Sequence, residues 1–170
     1  NLQQGSTDID PLHASPVMEQ LVTCIRHLVS KNTKKPALIL NGDILEMALS
    51  TINDAAMVFE RFIELIMPDG NKLFEKIIYI PGNHDHHLWE TAREIQYANY
   101  IKNRTEPGQH LKISWHTTEM FFDNDTPSVA SYFLTNLVQR YDYLKKKDFK
   151  IYIAYPNFGL FKEDGQKCVI

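Results

Sequence analysis

The chain has little cysteine, no long apolar run and no excess of positive charge, and each shortage excludes a class of protein. Its 170 residues include two cysteines, Cys24 and Cys168, without the short spacing of a metal-binding pair. We therefore expect free thiols in a reducing compartment, which favours the cytoplasm. No apolar stretch approaches the roughly 20 residues that a membrane-spanning helix needs. The first six residues also lack the charged and apolar regions of a secretory signal.

The composition is that of a globular protein without a general attraction to polyanions. A net charge of −3 disfavours general binding to nucleic acid or acidic membranes. The hydrophobic share of 44% and the charged share of 23% are ordinary for a globular domain. A chain of this length buries about two-thirds of the surface that its unfolded form exposes. We expect one domain over residues 1–170.

Two short apolar runs end in polar residues, and these ends organise the predicted fold. Residues 37–40 read as a buried strand that leads to Asp43, and residues 77–80 as a second strand that leads to Asn83. Apolar residues at helical spacing lie between them and predict a helix that stops at Pro68. A strand, helix and strand in this order form a right-handed crossover with parallel strands. Both polar ends should therefore meet at the carboxyl edge of the sheet, where ligands bind in such folds.

The rest of the chain predicts further helices and strands around this unit. Periodic apolar residues predict helices over residues 16–30, 88–100 and 127–147, and strands over 111–122, 150–155, 159–162 and 167–170, with a hairpin turn at Asp164-Gly165. The aromatic residues of the 127–147 helix leave open a homodimer contact or a cap over a pocket. The lysines at its end favour a solvated helix terminus over a phosphate clamp.

Five residues at the two strand ends carry the candidate chemistry. Their oxygen and nitrogen donors suit a divalent cation such as Mn, Fe or Zn. We interpret Asp43 and Asn83 as metal ligands, and His84 as a general acid or a stabilising cation. Asp85 would hold the imidazole in its working tautomer. Glu46, three residues after Asp43, would fix a ligand or the loop.

The residues Gly42-Asp43-Ile44-Leu45-Glu46 and Gly82-Asn83-His84-Asp85 resemble two signature blocks of the calcineurin-like metallophosphoesterases, G-D-x-x-D/E and G-N-H-D/E. The resemblance implies an α/β fold of the layered α/β/β/α sandwich type, incomplete in this chain. It also implies a phosphoester substrate, two divalent metal ions in a complete site, and direct attack by a metal-activated hydroxide.

The same resemblance assigns roles to single residues. It implies that Asp43 bridges the metal ions, that Asn83 is a metal ligand and that His84 is the catalytic histidine. Asp85 takes the place of the carboxylate paired with that histidine.

Two further blocks of that family have no counterpart in this sequence. The family opens with D-x-H after a strand, whereas residues 10–13 read D-P-L-H, with another spacing and no strand before them. The family closes with a lone histidine and G-H-x-H, and no histidine follows His116. We expect the chain to be the interior of a longer enzyme. The alternative is a non-catalytic scaffold or binding protein that keeps the fold with an incomplete metal site.

Each residue also has a simpler structural interpretation. Taken separately, Asp43 reads as a turn cap and residues 83–85 as a polar turn, and only their joint position at two strand ends favours a metal site. His86 and His87 are read as the start of the next helix, although they could reach substrate or metal. Trp89 is read as a packing anchor beneath the loop, with the wall of a substrate pocket as its alternative.

Overall fold

The computed structural model describes residues 15–104, 106–112, 117–162 and 164–170. Helices and strands alternate through the first half and short strands follow in the second: α1 (Pro16–Val29), β1 (Leu38–Asn41), α2 (Ile52–Ile66), β2 (Ile77–Ile80), α3 (His87–Arg104), a 3-10 turn (Asp123–Asp125), α4 (Tyr132–Val138), α5 (Asp142–Lys145), β3 (Ile151–Ile153), β4 (Gly159–Phe161) and β5 (Lys167–Val169). No helix in these described ranges is both long and apolar enough to cross a membrane.

A three-stranded parallel sheet, ordered β1-β2-β3, positions the two polar strand ends. Leu38 pairs with Ile77 and Ile77 with Ile151, so the three strands begin at one level. Helix α2 connects β1 to β2, and the Thr51 hydroxyl caps it by accepting a hydrogen bond from the Asp54 amide at 3.1 Å. The predicted parallel crossover is therefore confirmed, and the carboxyl ends of all three strands share one edge.

The sheet buries both faces, because alternate side chains of a strand point to opposite sides. Ile77 and Tyr79 of β2 belong to the main core with residues of the helices. Ile78 and Ile80 belong to a smaller core that also contains Phe158. The antiparallel hairpin of β4 and β5, which matches the predicted turn, adjoins this second core. The α/β class is confirmed, and the complete α/β/β/α sandwich stays a prediction.

The single long helix expected over residues 127–147 does not form. The chain reaches Ser131 in an extended conformation, and the Ser131 hydroxyl caps α4 by accepting from the Leu134 amide at 3.3 Å. The helix ends at Val138, and the Gln139 side chain then donates to the Phe149 carbonyl at 3.1 Å. Local capping therefore overrides the apolar spacing and divides the segment into α4 and α5. The homodimer contact or pocket cap that the sequence leaves open for this segment therefore has no continuous helix, and the homodimer stays a prediction.

The prediction of a strand over residues 111–122 is also wrong for the part of this segment that the structure describes. Residues 113–116 lie outside them, and residues 111–112 and 117–120 have no strand structure. Phe121 forms an isolated bridge to Gly159. The segment lacks the regular alternation that would bury one face, so a single bridge replaces a ladder. The other predicted helices and strands are observed, with ends shifted by a few residues.

Candidate functional site

The loop after β1 turns sharply through two left-handed residues. Gly42 has φ +68° and Asp43 has φ +40°. The Gly42 amide donates to the Ile80 carbonyl at 2.8 Å, which fixes the start of this loop to the end of β2. Glycine adopts this conformation freely, whereas a non-glycine residue does so at a cost. Strained residues of this kind cluster at functional sites, which directs attention to Asp43.

Asp43 joins this loop to the loop after β2. Its Oδ1 atom accepts a hydrogen bond from the backbone amide of His84 at 2.8 Å. The loops approach so closely that a Cβ atom added to Gly82 would lie 2.2 Å from the same Oδ1 atom. The expected meeting of the two strand ends is therefore confirmed, and Gly82 leaves the space that Asp43 occupies.

Glu46 holds the imidazole of His84. Its Oε1 atom lies 2.6 Å from Nδ1 of His84, and the Glu46 side chain is buried while His84 is half-buried. An ionised carboxylate only accepts hydrogen bonds, so Nδ1 carries the hydrogen of this pair. The other ring nitrogen, Nε2, is then left to accept or donate a proton.

The structure corrects the expected pairing of Asp85 with His84. Asp85 is completely buried, and its carboxylate accepts from the amides of Gly82 at 2.7 Å and Leu45 at 3.3 Å. The Tyr79 hydroxyl also donates to it. Three donors satisfy the carboxylate, and a buried charge needs such partners. Asp85 therefore fastens the two loops together, and Glu46 takes over its expected contact with the imidazole.

Tyr79 is a site residue that the sequence pattern concealed. Its place in an apolar strand indicates packing only, but its hydroxyl contacts Asp85 and accepts from the Leu45 amide at 3.2 Å. Burial raises the pKa of Tyr79, and the neighbouring Asp85 carboxylate raises it further. The phenol therefore stays protonated and keeps donating to Asp85. A tyrosine inside an otherwise aliphatic strand was the available signal.

Aromatic side chains support the second loop from the helix side. Trp89 is 3% exposed and stacks on Tyr155 with ring centroids 5.7 Å apart, as expected of a packing anchor. His86 meets the same tyrosine edge-on at 4.9 Å. His87 begins α3 and is exposed. These contacts fix the start of the helix that follows the loop.

The residues present can hold part of a metal site. Asp43 keeps carboxylate lone pairs beyond the one that accepts from His84. Asn83, the residue before His84, is exposed. Hard cations accept one or two protein oxygens when water and substrate phosphate complete the shell. Within the described ranges, no group of three or more His, Cys, Asp or Glu residues is arranged to hold a metal ion. The described oxygens thus fit a partial shell and not a complete dinuclear centre.

Comparison with known proteins identifies the family. The calcineurin-like phosphoesterase family model matches residues 12–167, which include both loops. The chain belongs to the calcineurin-like phosphoesterase family. The family that residues 42–46 and 82–85 suggested is thereby confirmed. No curated protein and no solved structure matched the chain.

Proposed function

We propose that this calcineurin-like chain is a metal-dependent phosphoester hydrolase that acts at the carboxyl edge of its parallel sheet. The observation that carries the proposal is the hydrogen bond between Asp43 and the His84 amide, which joins the two loops of the family resemblance. Ligands bind at this edge in open α/β sheets. The family is one of phosphoesterases. The two loops of this chain offer oxygen ligands for a cation and an imidazole whose position is fixed by Glu46.

Asp43 and Asn83 would hold a divalent cation through their side-chain oxygens. When bound, such a cation polarises a phosphoryl oxygen and makes water more acidic. The left-handed backbone of Asp43 determines the direction in which its side chain leaves the loop, and the hydrogen bond from the His84 amide holds Oδ1. We extend the proposal to two cations, to which this chain would contribute Asp43 and Asn83.

His84 is the proposed proton donor to the leaving group. Water attacks phosphorus and the phosphorus–oxygen ester bond breaks. The leaving oxygen takes a proton from Nε2 of His84 in its doubly protonated form, and the proton that the attacking water releases restores that form. Glu46 makes this possible by holding Nδ1 at 2.6 Å, which directs Nε2 away from the loop. Asp85 contributes by keeping the two loops together, without touching the imidazole.

A reducing compartment such as the cytoplasm fits the state of the cysteines. Cys24 and Cys168 are both exposed and free. Free thiols of this kind persist where glutathione and thioredoxin keep them reduced.

The test uses the intact gene product with a chromogenic phosphodiester and Mn. We expect His84→Ala to lower kcat/KM by at least about 100-fold, the lower range for losing a positioned acid. Asp43→Asn should lower it by a similar factor, because the proposed cation loses a carboxylate ligand. Chelation should abolish the activity of the wild-type protein, and Mn should restore it. Asp69→Asn is the matched control, because Asp69 is an exposed loop carboxylate remote from both strand ends. Full activity in both site variants would overturn the assignment.

A non-catalytic binding protein is the second candidate, favoured by the lack of a complete ligand cluster within the described ranges. It predicts that the intact wild-type protein binds the chromogenic phosphodiester without hydrolysing it. Turnover that needs both Mn and Asp43 would exclude it.

A further inference from the structure

A cavity opens at the amino edge of the sheet, opposite the candidate site. Its volume is about 570 Å³, within the usual range for small-molecule pockets. Lys35, Lys76 and Lys150 line it, and they precede β1, β2 and β3 respectively. Because the three strands are parallel, these lysines gather at the edge where the strands begin. The cavity therefore shares no strand end with Asp43 and His84.

The lining of this cavity is positive although the chain as a whole is negative. Five lysines line it against two carboxylates, Glu75 and Asp148. The net charge of the chain is −3. A concave surface lined by one sign of charge concentrates ions of the opposite sign. The composition of the whole chain conceals this local potential.

Two of the five lysines already have protein partners. Lys76 donates to the carbonyls of Asn124 and Asp125 and to the Thr126 hydroxyl, each at 2.8 Å. These three bonds use all the donors of its ammonium group. Lys150 lies 2.9 Å from the carboxylate of Asp148. Both lysines therefore line the cavity with their ammonium groups already bonded to protein acceptors.

The other three lysines supply the recognition groups. Lys35, Lys72 and Lys147 have no ion-pair partner among the residues that the structure describes. The cavity is also lined by Tyr143, whose buried hydroxyl has no hydrogen-bond partner within the same ranges. A buried polar atom without a partner costs free energy unless a ligand or water satisfies it. Three ammonium groups without an ion pair among the described residues, together with one hydroxyl, suit an anion with several phosphate charges.

We propose that this cavity binds a small anion that carries several phosphate groups, at a site separate from the carboxyl edge. Nucleoside triphosphates and inorganic polyphosphates share this chemistry. The rings of Phe149 and Tyr152 also line the cavity, and they offer contact area to a base. The proposal does not depend on hydrolytic activity, because none of these residues belongs to the loops of Asp43 and His84.

The experiment measures binding of ATP and of tripolyphosphate to the intact protein by calorimetry, with EDTA present. EDTA removes divalent cations and so suppresses phosphate binding at the metal ligands. The test variant is Lys35→Glu combined with Lys147→Glu. The matched control is Lys34→Glu combined with Lys146→Glu, which makes the same charge change one residue away on exposed side chains that do not line the cavity.

We expect saturable binding that the cavity variant weakens by at least about tenfold, since each bond to a charged group contributes enough for such a change. The control variant should stay within about twofold, because Lys34 and Lys146 do not line the cavity. Tighter binding of ATP identifies a nucleotide site, and equal binding identifies a polyphosphate site. The proposal is overturned by no saturable binding of either anion. An equal loss in both variants would also overturn it, since it indicates unspecific attraction.

Discussion

The Glu46 carboxylate lies 2.6 Å from Nδ1 of His84, and this pair joins the β1 loop to the β2 loop across the edge of the sheet. The buried carboxylate determines which ring nitrogen carries a hydrogen and therefore which one faces a substrate. Glu46 is a positioning residue, since it acts through the imidazole.

Replacing Glu46 by alanine should reduce catalysis more than binding. We expect Glu46→Ala to lower kcat about 10- to 100-fold, the usual loss when a positioning partner is removed. KM should change little, because Glu46 contacts His84 and not the substrate. Steady-state kinetics with a chromogenic phosphodiester measures both constants. Glu46→Gln should recover part of kcat, because its amide oxygen still accepts from Nδ1.

Glu90→Ala is the control for Glu46. Glu90 is also a carboxylate beside a histidine of this region, with Oε1 3.6 Å from Nδ1 of His86. Its side chain is 59% exposed, so we expect kcat within about twofold of wild type. An equal loss in both variants would contradict the role of Glu46.

Gly82 should not tolerate a side chain. The Cβ atom of Gly82→Ala would meet Oδ1 of Asp43 at 2.2 Å and its Cγ and backbone nitrogen at 2.6 Å, so the carboxylate and the backbone of Asp43 must move. We expect a loss of about 1–3 kcal/mol of unfolding free energy, as for other overpacked sites. We also expect weaker Mn binding, measured by calorimetry.

Gly165→Ala is the control that separates a general loss of stability from the displacement of Asp43. Gly165 has φ +80° in the β4–β5 hairpin, with open space around its Cα. A side chain there costs about 1–2 kcal/mol through the backbone alone. Unchanged Mn binding in Gly165→Ala and weaker binding in Gly82→Ala support a specific effect on Asp43. Unchanged binding in both would exclude it.

The sequence predicted the site well where strand ends determine it. Parallel pairing of β1 and β2 follows from the order of apolar runs, and it brings Asp43 and His84 together. The choice between Glu46 and Asp85 as partner of His84 could not be predicted. This choice depends on the backbone dihedral angles of the loops and on the buried Tyr79 hydroxyl, which donates a hydrogen bond to Asp85.

The fold was predictable where one periodicity dominates and unpredictable where local capping competes. Helix α2 buries one continuous face and was expected, as was β2, whose four residues are all buried. Residues 127–147 have helical spacing, but the Ser131 cap and the Gln139 contact divide them. Side-chain bonds to the backbone decide such segments, and spacing alone does not show them.

Tyr79→Phe should destabilise the loops at neutral pH. It removes the hydroxyl that donates to buried Asp85 and accepts from the Leu45 amide. We expect a loss of about 1–3 kcal/mol in urea unfolding at pH 7, because a buried carboxylate loses a donor.

The same variant should change the alkaline limit of stability. Burial holds the pKa of Tyr79 above its unfolded value, so above about pH 10 the unfolded state releases its proton first. The contribution of Tyr79 is complete below that pH and is lost as pH rises. The unfolding free energy of Tyr79→Phe should therefore fall less steeply above pH 10 than that of the wild-type protein. Identical slopes would contradict the raised pKa.

Lys76→Met should destabilise the fold, whereas Lys72→Met should affect only ligand binding. Lys76 bonds three acceptors of residues 124–126 and so fastens the 3-10 turn to the start of β2. Its loss leaves these acceptors without their donor, which costs about 1–3 kcal/mol. Lys72 lines the same cavity without an ion pair among the described residues, so its removal should cost less than about 0.5 kcal/mol. Urea unfolding of both variants, compared with their tripolyphosphate affinity, distinguishes a structural lysine from a recognising one. Equal losses of unfolding free energy in both variants would contradict this distinction between the two lysines.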